Sequence, residues 1–338
     1  MSTALGVEVV APGLFTTVQD TRGRPAYQRY GVPVGGALDT FAAAAANALV
    51  GNDPQAALLE VTLAGPTLRF EAPTAFALTG ADLSATIDGE SIPPGWSWLG
   101  RAGAVLAFGE RRSGARAYLA FAGGLAVPSV LGSRAADVRA GFPDLAGRAL
   151  RAGDRLPLVG VPDVVSRCGR RLVSADAPLD RPVRVMPGPH AERFAADALD
   201  EFCRIEWEIG DQADRMGYRL VGPRLRHTHG ADVTSLGLPV GAVQVPGDGR
   251  PIVLLADHQP TGGYTVLACA IRADLHILAQ RAPGERVRFA LITPDQARAA
   301  LRDRQAELEL SAISKDEAGT WAGLRWAESG AQVLASAG

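Results

Sequence analysis

Short apolar runs broken by glycine and proline are the feature that most limits how this chain can fold. Its 338 residues include 39 glycines and 23 prolines, which interrupt the apolar runs about every ten residues. Such spacing is typical of many short strands joined by tight turns. In Arg286–Phe289 polar and apolar residues alternate, as expected of a strand with one buried face. The sequence therefore predicts a mainly β fold.

Strand candidates outnumber helix candidates. The segments expected as strands are Ala75–Thr79, Ser84–Ile87, Ala104–Phe108, Ala115–Phe121, Val183–Met186, Ile205–Ile209, Ala242–Val245, Ile252–Leu255 and Arg286–Leu291. The segments expected as helices are Asp39–Leu49, Pro189–Phe202, Ala273–Gln280 and Pro294–Leu308. Asp39 suits the N-cap of the first helix and Gly51 its end, because short polar side chains cap helix N-termini and glycine stops helices.

A proline-rich seam over residues 157–182 predicts a boundary between two domains. Its prolines are Pro157, Pro162, Pro178 and Pro182. Proline and charge without apolar periodicity are typical of a connecting segment. We expect an N-terminal domain over residues 1–165 and a C-terminal domain over residues 182–310. Residues 311–338 are small, polar and patternless, and they are expected to form a polar tail.

The charge balance and the shortage of lysine exclude several classes of function. A net charge of −2 and a pI of about 6.2 give no basic excess for nucleic acid or a membrane surface, so neither is an expected partner. Lys315 is the only lysine. A mechanism that needs a Schiff-base lysine or a Walker-type phosphate lysine is therefore excluded.

Cysteine and histidine usage predicts a cytoplasmic protein that holds no metal of its own. Three cysteines without CxxC spacing fit a reducing compartment, and they are Cys168, Cys203 and Cys269. Residues 1–10 lack the basic and apolar regions of a signal peptide. His227 and His229 would share one face of a strand, but no third ligand is near them in the sequence. Two solvent-facing histidines are expected instead of a metal site.

Segments that mix glycine with acids, amides and arginine are the candidates for a functional site. Turn-forming residues and buried Asp–Arg pairs explain any single segment structurally. The joint occurrence of several favours binding, because exposed backbone N–H groups with arginine and amide side chains suit anionic and carbonyl groups. The densest of them is Asp257–Tyr264.

The order of these segments resembles the KipA / allophanate hydrolase subunit 2 family, the biotin-dependent carboxyltransferase-like proteins. In the first half the resemblance rests on Thr17–Asp20, Gly31–Pro33, Gly36–Asp39, Ala46–Asn47, Val50–Asn52, Leu59–Glu60, Gly65–Pro66, Thr79–Asp82, Arg116–Leu119, Gly123–Gly124 and Leu131–Arg134. In the second half it rests on Pro187–Pro189, Asp214–Leu220, Gly241–Pro246 and Thr261–Tyr264. The match runs in order from about residue 8 to residue 300.

The resemblance implies a fold, partners and an activity. The implied fold is two cyclophilin-like β-barrel domains with a few short helices, which agrees with the strand pattern. A KipI-like B subunit is the implied partner, and an A-type subunit joins the pair in 5-oxoprolinases. Such a complex opens 5-oxo-L-proline to L-glutamate with hydrolysis of ATP, and we expect ATP with Mg²⁺ to bind through the complex. The leading interpretation of this chain is the C-type subunit of such an enzyme.

Particular residues are expected to carry the chemistry. The candidate catalytic residues are Asp20, Asp257, Gln259 and Tyr264. The candidate residues for binding substrate or nucleotide are Arg24, Asp39, Asn47, Asp82, Arg215, Gln244, Thr261, Gly262 and Gly263. Carboxylates can move protons or hold Mg²⁺, arginines bind carboxylate or phosphate, and the two glycine N–H groups would polarise a carbonyl. For Asn47 and Arg215, bracing a loop is the alternative.

Two other interpretations stay open. A carboxyltransferase-type subunit acting on urea or a related amide would need a biotin-carrying partner, and a KipA-like regulator would bind a KipI-like kinase inhibitor without turnover. The chain departs from the family pattern near its strongest motif, with Leu236, Pro260 and Val266 in place of a usual glutamate, threonine and basic residue. These departures bear on substrate choice and on whether the chain is active.

Overall fold

Two compact units make up the described part of the chain. The computed structural model describes residues 6–172, 179–310 and 314–315. The first unit takes its described residues from Met1–Gly23, Asp39–Asp176 and Glu309–Gly338, and the second takes them from Arg24–Leu38 and Ala177–Leu308. The predicted seam at 157–182 spans the division between Asp176 and Ala177, and the predicted domain limits themselves stay a prediction.

Strands dominate both units. They are β1 (Gly6–Ala11), β2 (Phe15–Gln19), β3 (Leu58–Thr62), β4 (Thr67–Phe70), β5 (Thr74–Asp82), β6 (Thr86–Ile87), β7 (Glu90–Ser91), β8 (Trp96–Gly100), β9 (Val105–Ala107), β10 (Ser113–Phe121), β11 (Arg155–Pro157), β12 (Arg170–Arg171), β13 (Val183–Pro187), β14 (Trp207–Ala213), β15 (Gly217–Val221), β16 (Asp232–Gly237), β17 (Ala242–Val245), β18 (Ile252–Leu254), β19 (Thr261–Ala270), β20 (Arg286–Val287), β21 (Phe289–Leu291) and β22 (Ser314–Lys315).

Helices are fewer and mostly short. The α-helices are α1 (Thr40–Leu49), α2 (Ala198–Arg204), α3 (Leu275–Ala279) and α4 (Pro294–Leu310). Single 3-10 turns occupy Pro25–Tyr30, Asp144–Ala146, Val165–Arg167, Ala191–Arg193 and Arg272–Asp274. Among the described residues, none of these helices combines the length and apolar character needed to cross a membrane.

Two sheets build the first unit. One has the strand order β11-β1-β4-β9-β6-β7, and the other has the order β2-β3-β10-β5-β8-β12-β22. Alternate residues of these strands point into a shared core, as the period of a strand requires. Phe70, Phe76 and Phe121 are fully buried there, and the rings of Phe70 and Phe76 stack with centroids 5.2 Å apart.

Helix α1 begins and ends where the sequence predicts. The Asp39 side chain accepts a hydrogen bond from the Ala42 N–H at 2.9 Å, which satisfies one of the N–H groups left over at the helix start. Gly51 follows the last turn with a φ of +67°, a conformation that favours glycine. The Thr79 hydroxyl donates to the Ala42 carbonyl at 2.7 Å and ties the helix to β5.

One nine-stranded sheet builds the second unit. Its order is β20-β14-β15-β18-β17-β19-β13-β21, with β16 paired to β19 off this path. Strands β13 and β21 run parallel, and the other pairs are antiparallel. Its core includes Trp207, Tyr218 and the stacked rings of Phe202 and Phe289. The predicted mainly β class, with barrel-like sheets and few short helices, is confirmed.

Two predicted elements differ in the structure. The helix expected over Pro189–Phe202 is wrong: a 3-10 turn occupies Ala191–Arg193, α2 begins only at Ala198, and the residues between them form a β-bridge at Phe194 and a turn. The Ala195 N–H donates to the Arg226 carbonyl, so a long-range backbone bond replaces the helical one. The strand expected over Arg286–Leu291 is two strands, because Arg288 separates a part paired with β14 from a part paired with β13.

Two more expectations concern the ends of the sheets. Strand β19 is the longest described strand of the second unit, and the sequence predicts only a motif at its start, not a strand. The predicted polar tail lies outside the described residues, except that Ser314–Lys315 pair with Arg170–Arg171.

Candidate functional site

A buried arginine–aspartate pair forms the centre of the candidate site, within the second unit. Arg215 Nε donates to Asp257 Oδ2 at 2.7 Å, and Arg215 Nη2 donates to Asp257 Oδ1 at 2.9 Å. The two side chains are 7% and 12% exposed. Two parallel hydrogen bonds fix the orientation of the carboxylate as well as its position. The predicted loop-bracing role of Arg215 is also present, because Nη2 donates to the Gly36 carbonyl.

The segment Arg24–Leu38 supplies one wall of this site. The Arg24 N–H donates to the Val34 carbonyl at 2.7 Å, which closes the segment into a loop, and the Gly35 N–H donates to the Ala256 carbonyl at 3.0 Å. Gly35 has a φ of +66°, and a Cβ there would lie 3.7 Å from both Arg24 Nη1 and Asp257 Oδ1. The buried Arg24 guanidinium and the Asp257 carboxylate therefore both border Gly35.

Two glutamine amides lie in contact in the same unit. Gln259 Nε2 donates to Gln244 Oε1 at 3.4 Å. Gln244 is buried on β17, and a Cβ added to Gly262 would come within 2.8 Å of Gln244 Nε2. Gly262 thus makes room for the end of the Gln244 side chain. Two members of the motif Asp257–Tyr264, Gln259 and Gly262, therefore lie next to Gln244, which the sequence also predicts as a site residue.

His258 is a residue that sequence reasoning missed. Its ring is buried, and Nδ1 lies 2.6 Å from the Gln259 carbonyl oxygen. Burial lowers the pKa of His258, while the Gln259 carbonyl and the charge of Asp257 act in the opposite direction. A signal for it was available, since it lies inside the densest motif between two predicted catalytic residues.

The remaining predicted residues of this motif begin β19. Thr261 and Tyr264 are exposed, and Gly262 and Gly263 are half-buried. Gly262 pairs with Leu236 of β16, and the register shifts between Leu236 and Asp232, so that Gly263 faces a bulge. Polarisation of a carbonyl by the two glycine N–H groups stays a prediction.

Asp20 is surrounded by donors in the first unit. Its Oδ1 accepts from the N–H groups of Arg22 and Gly23, and its Oδ2 accepts from the Ser133 hydroxyl and the Arg134 N–H, all between 2.7 and 3.1 Å. A carboxylate held by four donors fixes two loops to each other. Its predicted proton-transfer role stays a prediction, and the hydrogen bonds explain the residue structurally.

Asp39, Asn47 and Asp82 also have structural partners in the first unit. Asn47 Nδ2 donates to the Ala56 carbonyl at 2.9 Å, and the Ser84 N–H donates to Asp82 Oδ1 at 2.9 Å. Asp39 caps α1, and its own N–H donates to the Tyr118 hydroxyl at 2.8 Å. Substrate or nucleotide binding by these three residues stays a prediction.

The departures from the family pattern fall on packed positions. Leu236 packs on a small apolar cluster that includes Leu238 and Val266. The Pro260 carbonyl accepts from the Leu238 N–H at 2.9 Å. These residues therefore stabilise the start of β19, and no charge stands where the family pattern has a glutamate and a basic residue.

The histidine pair differs from the sequence expectation. His229 is exposed as expected, but His227 is half-buried, with Nε2 2.9 Å from the Thr265 hydroxyl and its ring 4.4 Å from that of Phe194. Burial lowers the pKa of His227. Within residues 6–172 and 179–310, no group of three or more histidine, cysteine or acidic side chains converges as metal ligands would.

The chain belongs to the carboxyltransferase domain family. The family model for subdomains A and B of that domain matches residues 30–291. Membership in the family that the motifs resemble is thereby confirmed.

Particular relatives match nearly the whole chain. The chain is 40% identical over 305 residues to the C subunit of the 5-oxoprolinase of Escherichia coli (strain K12), covering 90% of this chain and 96% of that protein. It is 35% identical to the C subunit of the 5-oxoprolinase of Haemophilus influenzae, covering 88% of this chain and 94% of that protein.

A solved structure extends the comparison to the fold. The crystal structure of the Kluyveromyces lactis urea amidolyase matches with a TM-score of 0.85 and 28% identity. The match covers 92% of this chain and 20% of the urea amidolyase chain, so this chain corresponds to about a fifth of that protein.

Proposed function

We propose that this chain is the C-type subunit of an ATP-dependent 5-oxoprolinase, which opens 5-oxo-L-proline to L-glutamate together with B-type and A-type partner subunits. The observation that carries this proposal is the 40% identity to the C-type subunit of a 5-oxoprolinase over 96% of that protein's length. The proposal includes a cytoplasmic hetero-oligomer, with ATP and Mg²⁺ bound by the complex.

The composition of the site supports an amide substrate. A lactam presents a carbonyl acceptor and an N–H donor, and Gln244, Gln259 and the Asp257 carboxylate offer groups of both kinds. Arg215 holds the Asp257 carboxylate in one orientation, as a group that moves a proton needs. Arg24 is the arginine we assign to the substrate carboxylate, because its buried guanidinium borders Gly35 on the same side as the Asp257 carboxylate.

The need for ATP follows from the stability of the substrate. An amide carbonyl is a poor target for water, and phosphorylation of the carbonyl oxygen would turn the lactam into a species that water hydrolyses easily. The described residues of this chain offer no cluster of acids for a metal ion, and the proposal therefore assigns Mg²⁺ to the nucleotide and the partner subunits.

A carboxyltransferase role is the second candidate. The match to urea amidolyase, at a TM-score of 0.85, favours it, and it would require a biotin-carrying partner that delivers a carboxyl group to urea or a related amide. A regulator that binds a KipI-like inhibitor without turnover has no comparable observation in its favour.

Substrate-dependent ATP hydrolysis distinguishes the 5-oxoprolinase, carboxyltransferase and regulator functions. The chain is copurified with its B-type and A-type partners, and ADP release is measured with 5-oxo-L-proline, with urea, and without either. The proposal predicts stimulation by 5-oxo-L-proline alone, unchanged by avidin. Stimulation by urea that avidin removes would establish the carboxyltransferase role, and a stable complex without hydrolysis would favour the regulator.

A further inference from the structure

Among the buried polar atoms of the second unit that have no hydrogen-bond partner within the described residues, two belong to neighbouring residues of the candidate site. They are Nε2 of Gln244 and Nε2 of His258, and their residues are 2% and 1% exposed. Gln259 links the two residues, because its side chain donates to Gln244 Oε1 and its carbonyl contacts His258 Nδ1. Buried polar atoms without a partner are rare in folded proteins, and they point to a ligand or a bound water.

Whether each Nε2 atom is a donor or an acceptor follows from the hydrogen bond that the other polar atom of the same side chain makes. Gln244 Oε1 accepts the hydrogen bond from Gln259, so Gln244 Nε2 is the amide nitrogen and a donor. A carbonyl oxygen can only accept, so His258 Nδ1, 2.6 Å from the Gln259 carbonyl, must carry the ring proton. Burial lowers the pKa of His258, which favours the neutral ring. His258 Nε2 is therefore a lone-pair acceptor.

We propose that Gln244 and His258 recognise the two polar groups of a lactam, with Gln244 Nε2 donating to its carbonyl oxygen and His258 Nε2 accepting from its ring N–H. This assignment rests on the proposed function and names a specificity-determining residue for it. A ring holds an amide in the cis form, so the N–H and the carbonyl oxygen lie on one edge of the ligand. A carboxylate or a lactone lacks the N–H that His258 would bind.

Gly262 supports the donor half of the assignment. A Cβ at this position would lie 2.8 Å from Gln244 Nε2 and 2.7 Å from Leu238 Cδ1. Because Gly262 has no side chain, the Gln244 amide can lie against the start of β19; a larger residue at this position would displace it.

The test compares a lactam with its isosteric lactone in the assembled complex. The lactone of 2-hydroxyglutarate has a ring oxygen where 5-oxo-L-proline has N–H, and it is measured as a competitor. The variant His258→Asn keeps a side-chain N–H for the Gln259 carbonyl but has no acceptor at the Nε2 position. The variant His258→Gln places an amide oxygen near that position.

The expected result is a change in discrimination rather than in stability. The wild-type complex should bind the lactam at least about tenfold more tightly than the lactone, since a site built around an N–H rejects an analogue that lacks it. His258→Asn should bring the ratio of the two affinities towards one, and His258→Gln should restore part of it. An unchanged ratio in His258→Asn, with the 5-oxo-L-proline reaction still running, would overturn this assignment and leave the proposed function standing.

Failure of the proposed function gives a different pattern. If the wild-type complex does not turn over 5-oxo-L-proline, calorimetry with 2-pyrrolidone and γ-butyrolactone on the same complex decides the assignment. A preference for the lactam that His258→Asn abolishes would support the lactam site without the 5-oxoprolinase activity. Equal binding of the two, or binding of neither, would mean that His258 meets a structural water and would overturn the assignment.

Discussion

Arg215 donates from one planar guanidinium to both Asp257 carboxylate oxygens and to the Gly36 carbonyl. A lysine has the same charge but donates from a single point, so it cannot reproduce this fork. Removal of the Asp257 side chain would break a buried ion pair with Arg215, a loss that typically costs about 3–5 kcal/mol. Conservative variants are therefore the informative ones at this site.

Arg215→Lys should lower kcat/KM for 5-oxo-L-proline by about 10- to 100-fold, because the Asp257 carboxylate loses its fixed orientation. Steady-state kinetics on the assembled complex give the value. Arg219→Lys is the matched control, since Arg219 is exposed on β15, and it should behave as wild type. Equal kinetics in the two variants would remove Arg215 from the site.

Gly262→Ala should raise KM for 5-oxo-L-proline while leaving the thermal stability close to that of the wild type. The added Cβ meets the flexible ends of Gln244 and Leu238, which can move, so the fold survives while the Gln244 amide is displaced. Gly237→Ala, on the paired strand with open space around its Cβ, should change neither. Kinetics and thermal melting of both variants check this, and a KM that stays at the wild-type value in Gly262→Ala would contradict the place given to Gln244.

Several residues that the sequence singled out lie together in the second unit, and the roles predicted for the candidates in both units stay predictions. Arg24, Arg215 and Asp257 lie in segments that mix glycine with arginine and aspartate, and this mixture is the pattern that singled them out. Asp20 shares the same local pattern, yet its carboxylate has four donors. Two of these donors, Ser133 and Arg134, are remote in sequence, so the local pattern around Asp20 cannot predict its hydrogen bonds.

At the level of elements, Asp274 fastens β13 to the 3-10 turn before α3. Its side chain is fully buried and accepts hydrogen bonds from Arg181 and from the backbone and guanidinium of Arg184, between 2.7 and 2.9 Å. Burial by itself raises the pKa of Asp274, but the hydrogen bonds from Arg184 and Arg181 outweigh it and leave the pKa below its usual value. This carboxylate therefore stabilises the fold in its ionised form.

Asp274→Asn should lower the free energy of unfolding by about 3 kcal/mol, less than a fully buried pair would lose because both arginines are partly exposed. A carboxyl group whose folded pKa is depressed contributes fully above its unfolded pKa of about 3.9 and loses that contribution as pH falls through the folded pKa. Urea unfolding from pH 7 to pH 3 should therefore show the gap between wild type and variant closing below about pH 4.

Asp295→Asn is the control for that experiment. Asp295 is 88% exposed and pairs with Arg298 on the surface of α4, so its removal should cost less than about 1 kcal/mol. A similar loss in both variants, or a gap at Asp274 that does not depend on pH, would contradict the account of Asp274.

Some helices and strands are predictable from neighbouring residues, whereas others depend on pairing with residues that are distant in the sequence. The signals for the start and the end of α1, Asp39 and Gly51, lie in the sequence directly beside the helix, so the sequence predicts α1. Strand β19 begins with Thr261, Gly262 and Gly263, where glycine weakens the strand signal; its pairing with β16 and β17 comes from residues far along the chain. The same limit explains the helix wrongly expected over Pro189–Phe202.

For the whole molecule, the segment Arg24–Leu38 is the feature that sequence order hides. It lies in the N-terminal half of the chain, yet it belongs to the second unit, where the Gly35 N–H bonds to the Ala256 carbonyl. A domain boundary drawn at one place in the sequence cannot show that an N-terminal segment belongs to the second unit. The proline-rich seam marks where apolar periodicity stops, but it does not show which residues contact each other. Without this segment the second unit would lack Arg24 and the Gly36 carbonyl that binds Arg215.

Glutamate formation by the reconstituted complex decides whether this chain is a required subunit of a 5-oxoprolinase. The B-type and A-type partners are supplied with ATP, Mg²⁺ and 5-oxo-L-proline, with this chain either present or omitted. We expect L-glutamate and ADP in equal amounts when all three chains are present, and no glutamate when this chain is omitted. Glutamate formed at the same rate without this chain, or ADP formed without glutamate in the full complex, would contradict it.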